Sequence, residues 1–237
     1  MISQAEYDKL KMEISTISHE IRNPLTLVYS TLQLIESQHP EVLTFRYWPQ
    51  LRQDVEYIRQ LLDELSAYNN SENLTMSLVD SNTFFKTLSL SFASSLTESE
   101  IEFVSKIDNA LPSIPGDSIK LRQVFLNILG NARDALSLHP ASEDFTPVIH
   151  MTVSSTEDAL SICIKDNGCG IPKDRLSSIF EPFVTYKQSG TGLGLAIASR
   201  IIKSHNGTIQ VSSVPGVHTT FLLTLPVKKN SEHKPGD

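Results

Sequence analysis

Apolar residues recur in steps of three and four through the first part of this chain, and then that pattern stops. Leu10, Ile14, Ile17, Ile21, Leu25, Val28, Leu32 and Ile35 fall along one narrow seam of a helix expected from Ser3 to about Glu36. Pro24 sits inside it. A proline removes one backbone donor and crowds the preceding turn, so a kink is expected just after His19. Gln38-His39-Pro40 reads as a turn, after which Leu51, Val55, Ile58, Leu62 and Leu65 repeat the helical steps, predicting a second helix over roughly 45–68. Two helices with one apolar stripe each bury it poorly as a lone pair. A hairpin that dimerises into a four-helix bundle is one solution, and packing against the rest of the same chain is the other.

The polar, helix-poor run Asn69-Asn70-Ser71-Glu72-Asn73 reads as a linker. It divides the chain into a helical domain of residues 1–70, a linker of 71–76 and a second domain of 77–228. Beyond the linker the periods are mixed. Helices are expected over 84–94, 120–138 and 193–205, and strands over 101–107, 148–153, 160–164, 209–212 and 219–225. The fold class is therefore a helical hairpin followed by an α/β sandwich with helices on one face of a mixed sheet. The polar residues 229–237 are expected to be a disordered tail.

Composition removes several functions. A net charge of −7 over 237 residues offers no basic surface for nucleic acid. No apolar run approaches a membrane span and no signal peptide opens the chain. Cys163 and Cys169, the two cysteines, are not spaced as a metal pair and do not suggest a disulfide framework, which fits a reducing, cytoplasmic compartment.

Chemistry concentrates in five places. The first is Ser18-His19-Glu20-Ile21-Arg22-Asn23-Pro24-Leu25-Thr26. Imidazole has a well-populated neutral, nucleophilic form near neutral pH. Glu20 can orient or deprotonate it, and Asn23 lies one helical turn on, on the same side. A solvated surface histidine is the plain alternative. The second is Gln123 to Ala135, where Asn127 and Asn131, four apart, share a helix face and Val124, Ile128, Leu129 and Ala132 supply the buried side. Asparagine needs a reason to sit in mid-helix, and an amide oxygen is a hard ligand that Mg²⁺ accepts beside waters and phosphates.

The third is Asp166-Asn167-Gly168-Cys169-Gly170, directly after a strand. Its glycines permit close backbone approach to a flat ligand, and an ionised carboxylate can only accept, as from the exocyclic amine of adenine. An ordinary turn has the same form. The fourth is Phe180-Glu181-Pro182-Phe183, whose aromatics are expected to anchor the near end of a mobile lid carrying Lys187 as a phosphate-reaching charge. The fifth, Gly190-Thr191-Gly192-Leu193-Gly194, leads into a helix, where unpaired N–H groups and the helix dipole favour phosphate.

The third and the fifth are weak alone; the order and placement of the last four are not. Together they resemble the ATP-binding domain shared by histidine kinases, gyrase B, Hsp90 and MutL, of the Bergerat type. There is no Gly-Lys-Ser/Thr of a P-loop and no serine/threonine kinase motif set. The box His-Glu-Ile-Arg-Asn-Pro-Leu-Thr then resembles that of the sensor histidine kinase core, over residues 5–227. The short lid resembles the nitrogen-regulation and sporulation types. Asp134 stands where many members carry lysine.

The resemblance implies ATP-dependent phosphorylation of His19, with Glu20 as orienting base, and transfer of the phosphoryl group to an aspartate of a response regulator receiver domain. It implies Asn131 as the Mg²⁺ ligand with Asn127 nearby, and Asp166 selecting adenine. Gly168 and Gly170 would shape the pocket, and Lys187, Gly190, Thr191, Gly192, Leu193 and Gly194 would meet the phosphates. Asn23, with Glu20, could orient water for a phosphatase reaction on the regulator. A histidine phosphotransfer or scaffold module with a decayed ATP site is the alternative; an anti-sigma-type serine kinase would lack the His box. Residues 1–9 are too short for a sensor, so an excised core or a separate input protein is expected.

Overall fold

The computed structural model describes the backbone of residues 4–137, 145–187 and 190–227 and, within these, every side chain except those of residues 4–11 and His19. The predicted tail at 229–237 lies outside the described residues. Two compact units emerge: the residues up to Asn70 together with Thr185–Leu193, and the residues from Ser71 to Val184 together with those from Gly194 onward. The break between Asn70 and Ser71 lies at the boundary between the predicted helical domain and its linker. The grouping of Thr185–Leu193 with the helices was not expected.

In the first unit, α1 (Gln4–Gln38) and α2 (Trp48–Asn69) are joined by a 3₁₀ turn at Pro40–Thr44. The helical assignment of α1 runs through Pro24 unbroken. The carbonyl that Pro24 leaves without a helical donor is that of Glu20, an exposed residue, so water can take the donor's place. The hairpin closes around Leu32, Val42, Val55 and Leu62. Arg22 clips the helices together, its Nε donating to Asp63 Oδ1 at 3.2 Å and its Nη2 to the Leu62 carbonyl at 3.2 Å. Trp48 Nε1 donates to Glu36 at 2.9 Å, and Arg52 and Arg59 stack on the Tyr29 ring. Even so, Ile17, Ile21, Val28, Leu51 and Ile58 stay exposed, so one chain does not bury its own stripes.

The second unit contains α3 (Ser81–Ser95), α4 (Ser118–Ser137) and α5 (Gly194–Ser204). Its main sheet has the order β2-β4-β5-β7-β6, formed by β2 (Glu102–Ile107), β4 (Val148–Ser155), β5 (Ala159–Asp166), β6 (Thr208–Val214) and β7 (His218–Pro226). β2 runs parallel to β4 and the other pairs are antiparallel, so the sheet is mixed as expected. A small ribbon of β1 (Ser77–Val79) and β3 (Ile114–Gly116) was not foreseen, because three residues are too few to show a period.

Strand register explains the core. Ile164, Phe221 and Val211 stand side by side across β5, β7 and β6, as do Ile162, Leu223 and Ile209. Directly opposed residues share a face, so these rows form one apolar surface. Ile128, Leu129, Ile197 and Ile201 of α4 and α5 are fully buried within the same unit. Asp117 caps α4, its Oδ1 accepting from the Ile119 and Lys120 N–H groups at 3.1 Å and its Oδ2 from Thr75 N–H at 2.8 Å. Its own N–H donates to Nε2 of buried His205 at 2.9 Å, while His205 Nδ1 donates to the Ile201 carbonyl at 2.8 Å.

Candidate active site

The apolar rows of the sheet end in a polar one. Asp166, the last residue of β5, stands opposite Thr219 of β7, and Thr219 stands opposite Ser213 of β6. Asp166 is 3% exposed. Burial pushes its carboxyl above the usual carboxylate range, against the pull of the Gly168 and Thr219 N–H groups and the nearby His218. One oxygen, Oδ1, accepts from Gly168 N–H at 2.9 Å. A buried carboxylate with remaining acceptor capacity suits an incoming N–H donor.

The loop after Asp166 is clamped on both sides. Asn167 ties it to the start of β4, donating to the Thr146 carbonyl and accepting from Val148 N–H, both at 2.8 Å. Cys169 N–H donates to the Ala135 carbonyl of α4 at 3.2 Å, and a Cβ on Gly168 would lie 2.7 Å from Ala135 backbone carbon. On the other side Gly216 N–H donates to the Cys169 carbonyl at 2.7 Å. Gly170, at φ +67°, has no room for a Cβ, which would meet the Val214 carbonyl oxygen at 2.4 Å. Close packing thus requires both glycines, and Gly170 is required for its conformation as well.

On α4, Val124, Ile128, Leu129 and Ala132 are buried, and Asn127 and Asn131 lie half-buried along the edge of that face. Asn127 Nδ2 donates to the Gly194 carbonyl at 2.9 Å, tying α4 to the first residue of α5. Asn131 is half-buried. A Cβ on Gly194 would come no closer than 3.7 Å to Asn127, so crowding does not explain that glycine.

The lid segment departs from expectation at its near end. Phe180 packs edge-on against Phe221, but Phe183 is exposed, at φ +65°. One aromatic anchors, not two. Within the first unit, Lys187 N–H donates to Thr185 Oγ1 at 3.2 Å, and the Thr191 hydroxyl donates to a carboxylate oxygen of Glu64 on α2. Thr191 Oγ1 also accepts from Leu193 N–H at 3.3 Å, and Gly192 has φ +73°. His19, Glu20 and Asn23 all lie on α1, with Glu20 and Asn23 exposed; the side chain of His19 lies outside the described atoms.

Residues 9–74 match the family model described as His Kinase A (phospho-acceptor) domain, and residues 116–229 match that of the Histidine kinase-, DNA gyrase B-, and HSP90-like ATPase. The chain belongs to the sensor histidine kinases. It is 33% identical over 211 residues to the signal transduction histidine-protein kinase AtoS of Escherichia coli strain K12, covering 89% of this chain and 34% of AtoS. It is 30% identical over 229 residues to the sensory histidine kinase/phosphatase NtrB of Rhizobium leguminosarum bv. phaseoli, covering 92% of this chain and 58% of NtrB. In fold it is similar to full-length ShkA, solved with AMPPNP, at a TM-score of 0.74 and 25% identity over 91% of this chain and 45% of that one. This kinase core thus spans 34% and 58% of the lengths of those two curated relatives.

Sequence reading missed three polar residues: Thr219 and Ser213, in the polar row of the second unit, and Glu64 in the first unit. Thr219 begins an inward alternation with Phe221, Leu223 and Leu225, and that period was the available signal. Ser213 shows itself through Ile171, 42 residues away, beside its nearer partners His218 and Thr219, and Glu64 through Thr191, 127 residues away. Among the described residues no group of three or more His, Cys, Asp or Glu could hold a metal ion, and no helix is long and apolar enough to cross a membrane.

Proposed function

We propose that this kinase core phosphorylates its own His19 from ATP and passes the phosphoryl group to an aspartate of a response regulator receiver domain. The observation that carries the reading is the buried Asp166 at the mouth of a loop clamped between α4 and the β6–β7 turn, in a chain whose first helix bears the His box. In the first step the bond from the γ-phosphorus to the β,γ-bridging oxygen breaks, a His19 ring nitrogen bonds to phosphorus, and ADP leaves. Glu20 orients the imidazole and takes up its proton. Phosphoryl transfer depends mainly on positioning and charge, so donor and acceptor can stand on separate units.

Asp166 accepts from the adenine amine, Gly168 and Gly170 line the base, and Lys187 with Gly190, Thr191, Gly192, Leu193 and Gly194 meet the phosphates. Asn131, near Asn127, offers an amide oxygen of the hard type that Mg²⁺ takes beside phosphate oxygens; bound there, the ion would neutralise phosphate charge. The domains follow the boundaries 1–70, 71–76 and 77–228, supported by the unit break at Asn70. The exposed stripe of Ile17, Ile21, Val28, Leu51 and Ile58 supports a homodimer through a four-helix bundle. A sensor domain or separate input protein supplies the signal, and the core works in the cytoplasm.

Exposed Glu20 and Asn23 beside His19 also suit a phosphatase reaction on the regulator, with Asn23 orienting water, and NtrB is named for both activities. The test of the first activity is labelling from γ-labelled ATP. An acid-labile, base-stable label on the wild type, absent from His19→Gln with ATP binding intact, is expected; label persisting in the variant refutes the assignment.

A further inference from the structure

The polar row that begins at Asp166 reaches one strand further than the base loop requires. Ser213, on β6, is two strands away from Asp166, yet its hydroxyl sits at the centre of a three-way junction. It lies 2.7 Å from the His218 carbonyl oxygen, which can only accept, so the single hydroxyl proton goes there. Its oxygen then accepts from Ile171 N–H at 2.8 Å and, at 3.1 Å, from the Thr219 hydroxyl. One donor and two acceptor positions are all in use, the full capacity of a serine hydroxyl.

The consequence lies in the loop. Gly168 N–H is held by Asp166, Cys169 N–H by the Ala135 carbonyl, and Ile171 N–H by Ser213. The near limb of the loop is thus fixed by its own aspartate and by α4, and the far limb by a β6 side chain. Ser213 also directs the Thr219 hydroxyl proton away from Asp166, the residue on Thr219's other side. Thr219 is 3% exposed, so water does not readily replace a lost partner there.

We propose that Ser213 is a positioning residue for the nucleotide base: it holds the far limb of the 166–172 loop and orients Thr219, so that Asp166 meets adenine in a fixed geometry. The proposal rests on the reading of this loop as the adenine site. Ser213 touches neither phosphate nor His19 in this account. Its loss therefore acts on nucleotide affinity and leaves the transfer step at saturating ATP unaltered.

The experiment uses the full chain with ATP and Mg²⁺, measuring Kd by calorimetry and the single-turnover labelling rate at saturating ATP. Ser213→Ala strips the junction of its hydroxyl and is expected to weaken ATP binding about five- to tenfold, from the loss of one to two ordinary hydrogen bonds, with the saturating rate within about twofold. Ser213→Thr and Ser213→Val are nearly isosteric and differ in the hydroxyl, so they replace the alanine variant if it does not fold. Threonine is expected to bind ATP as the wild type does, and valine to bind as weakly as alanine.

Equal affinity of the threonine and valine variants overturns the proposal, as does a saturating rate that falls in step with affinity. Asp166→Asn is measured alongside. If the wild type binds ATP and needs Asp166 while the hydroxyl at 213 makes no difference, the inference on Ser213 fails and the adenine reading stands. If Asp166→Asn leaves ATP binding unchanged, both fail.

Discussion

Replacing Asp166 by asparagine should move stability and nucleotide affinity in opposite directions. The side chain is 3% exposed, and burial holds its carboxyl above the usual range despite the Gly168 and Thr219 N–H groups. An acid with a raised folded pKa stabilises the fold in its protonated form. That contribution is fully present below the unfolded pKa and is lost as pH rises through the folded one. At neutral pH the folded protein therefore carries the cost of a buried charge. Asparagine has nearly the same shape, and its Oδ1 can still accept from Gly168 N–H at the observed 2.9 Å. The variant should melt above the wild type at pH 7.5, with the gap narrowing as pH falls and Asp166 takes up its proton.

ATP should respond the other way. A hydrogen bond to a charged acceptor is worth about 1.5–3 kcal/mol, and in the variant an amide N–H₂ group faces the adenine amine, donor against donor. Affinity should fall about ten- to a hundredfold. Wild-type affinity should also decline as pH drops through the raised pKa of Asp166, while the already weak affinity of the variant stays flat. Calorimetric titration with ATP and thermal unfolding, both at pH 7.5 and 5.5, check this. An unchanged ATP affinity would refute the role of Asp166; a variant melting below the wild type would show that the carboxylate's hydrogen bonds outweigh its burial.

Two further outcomes follow from single contacts. Gly168→Ala places a methyl group 2.7 Å from Ala135 backbone carbon and should destabilise the fold by about 1–3 kcal/mol and weaken ATP binding, whereas Gly130→Ala, with nothing within 4 Å in mid-helix, should stabilise by about 0.5–1 kcal/mol; urea unfolding measures both. His205 accepts from Asp117 N–H at 2.9 Å in its neutral form, and burial holds its pKa below the usual value, so the unfolded chain binds the extra proton first. Stability should then be lost as pH falls through about 6.5, by no more than about 1.4 kcal/mol per pH unit from this group, and urea midpoints should show a shallower fall in His205→Gln.

Much of the fold could be read from periodicity. The two helices of the first unit and the rows Ile162-Leu223-Ile209 and Ile164-Phe221-Val211 follow from repeating apolar spacing, which is a local property of each element. Pro24 shows a local limit as well: the rule about proline concerns the backbone donor it removes, and it does not say whether the carbonyl left behind can reach water and let the helix of Gln4–Gln38 continue through it. The ribbon of β1 and β3 is held by pairing across 35 to 39 residues, from Val79↔Ile114 to Ser77↔Gly116, and nothing within three residues announces it.

The candidate site divides along the same line. Asp166, Gly168, Gly170 and Asn127 were legible because each answers to a short-range need: a turn, a close approach, or a polar side chain on one helix face. Ser213 was not, because a serine in a strand acquires meaning only from its register. Its position opposite Thr219, and Thr219's opposite Asp166, is fixed by the apolar rows beneath, which must align for the core to close. A slip of one residue in β6 would turn Ile209, Val211 and Ser213 outward together, losing two half-buried apolar contacts and the hydroxyl that holds Ile171. The packing that stabilises the sheet is therefore what places the polar row at its end, and the geometry of the base loop is inherited from the core rather than specified within the loop itself.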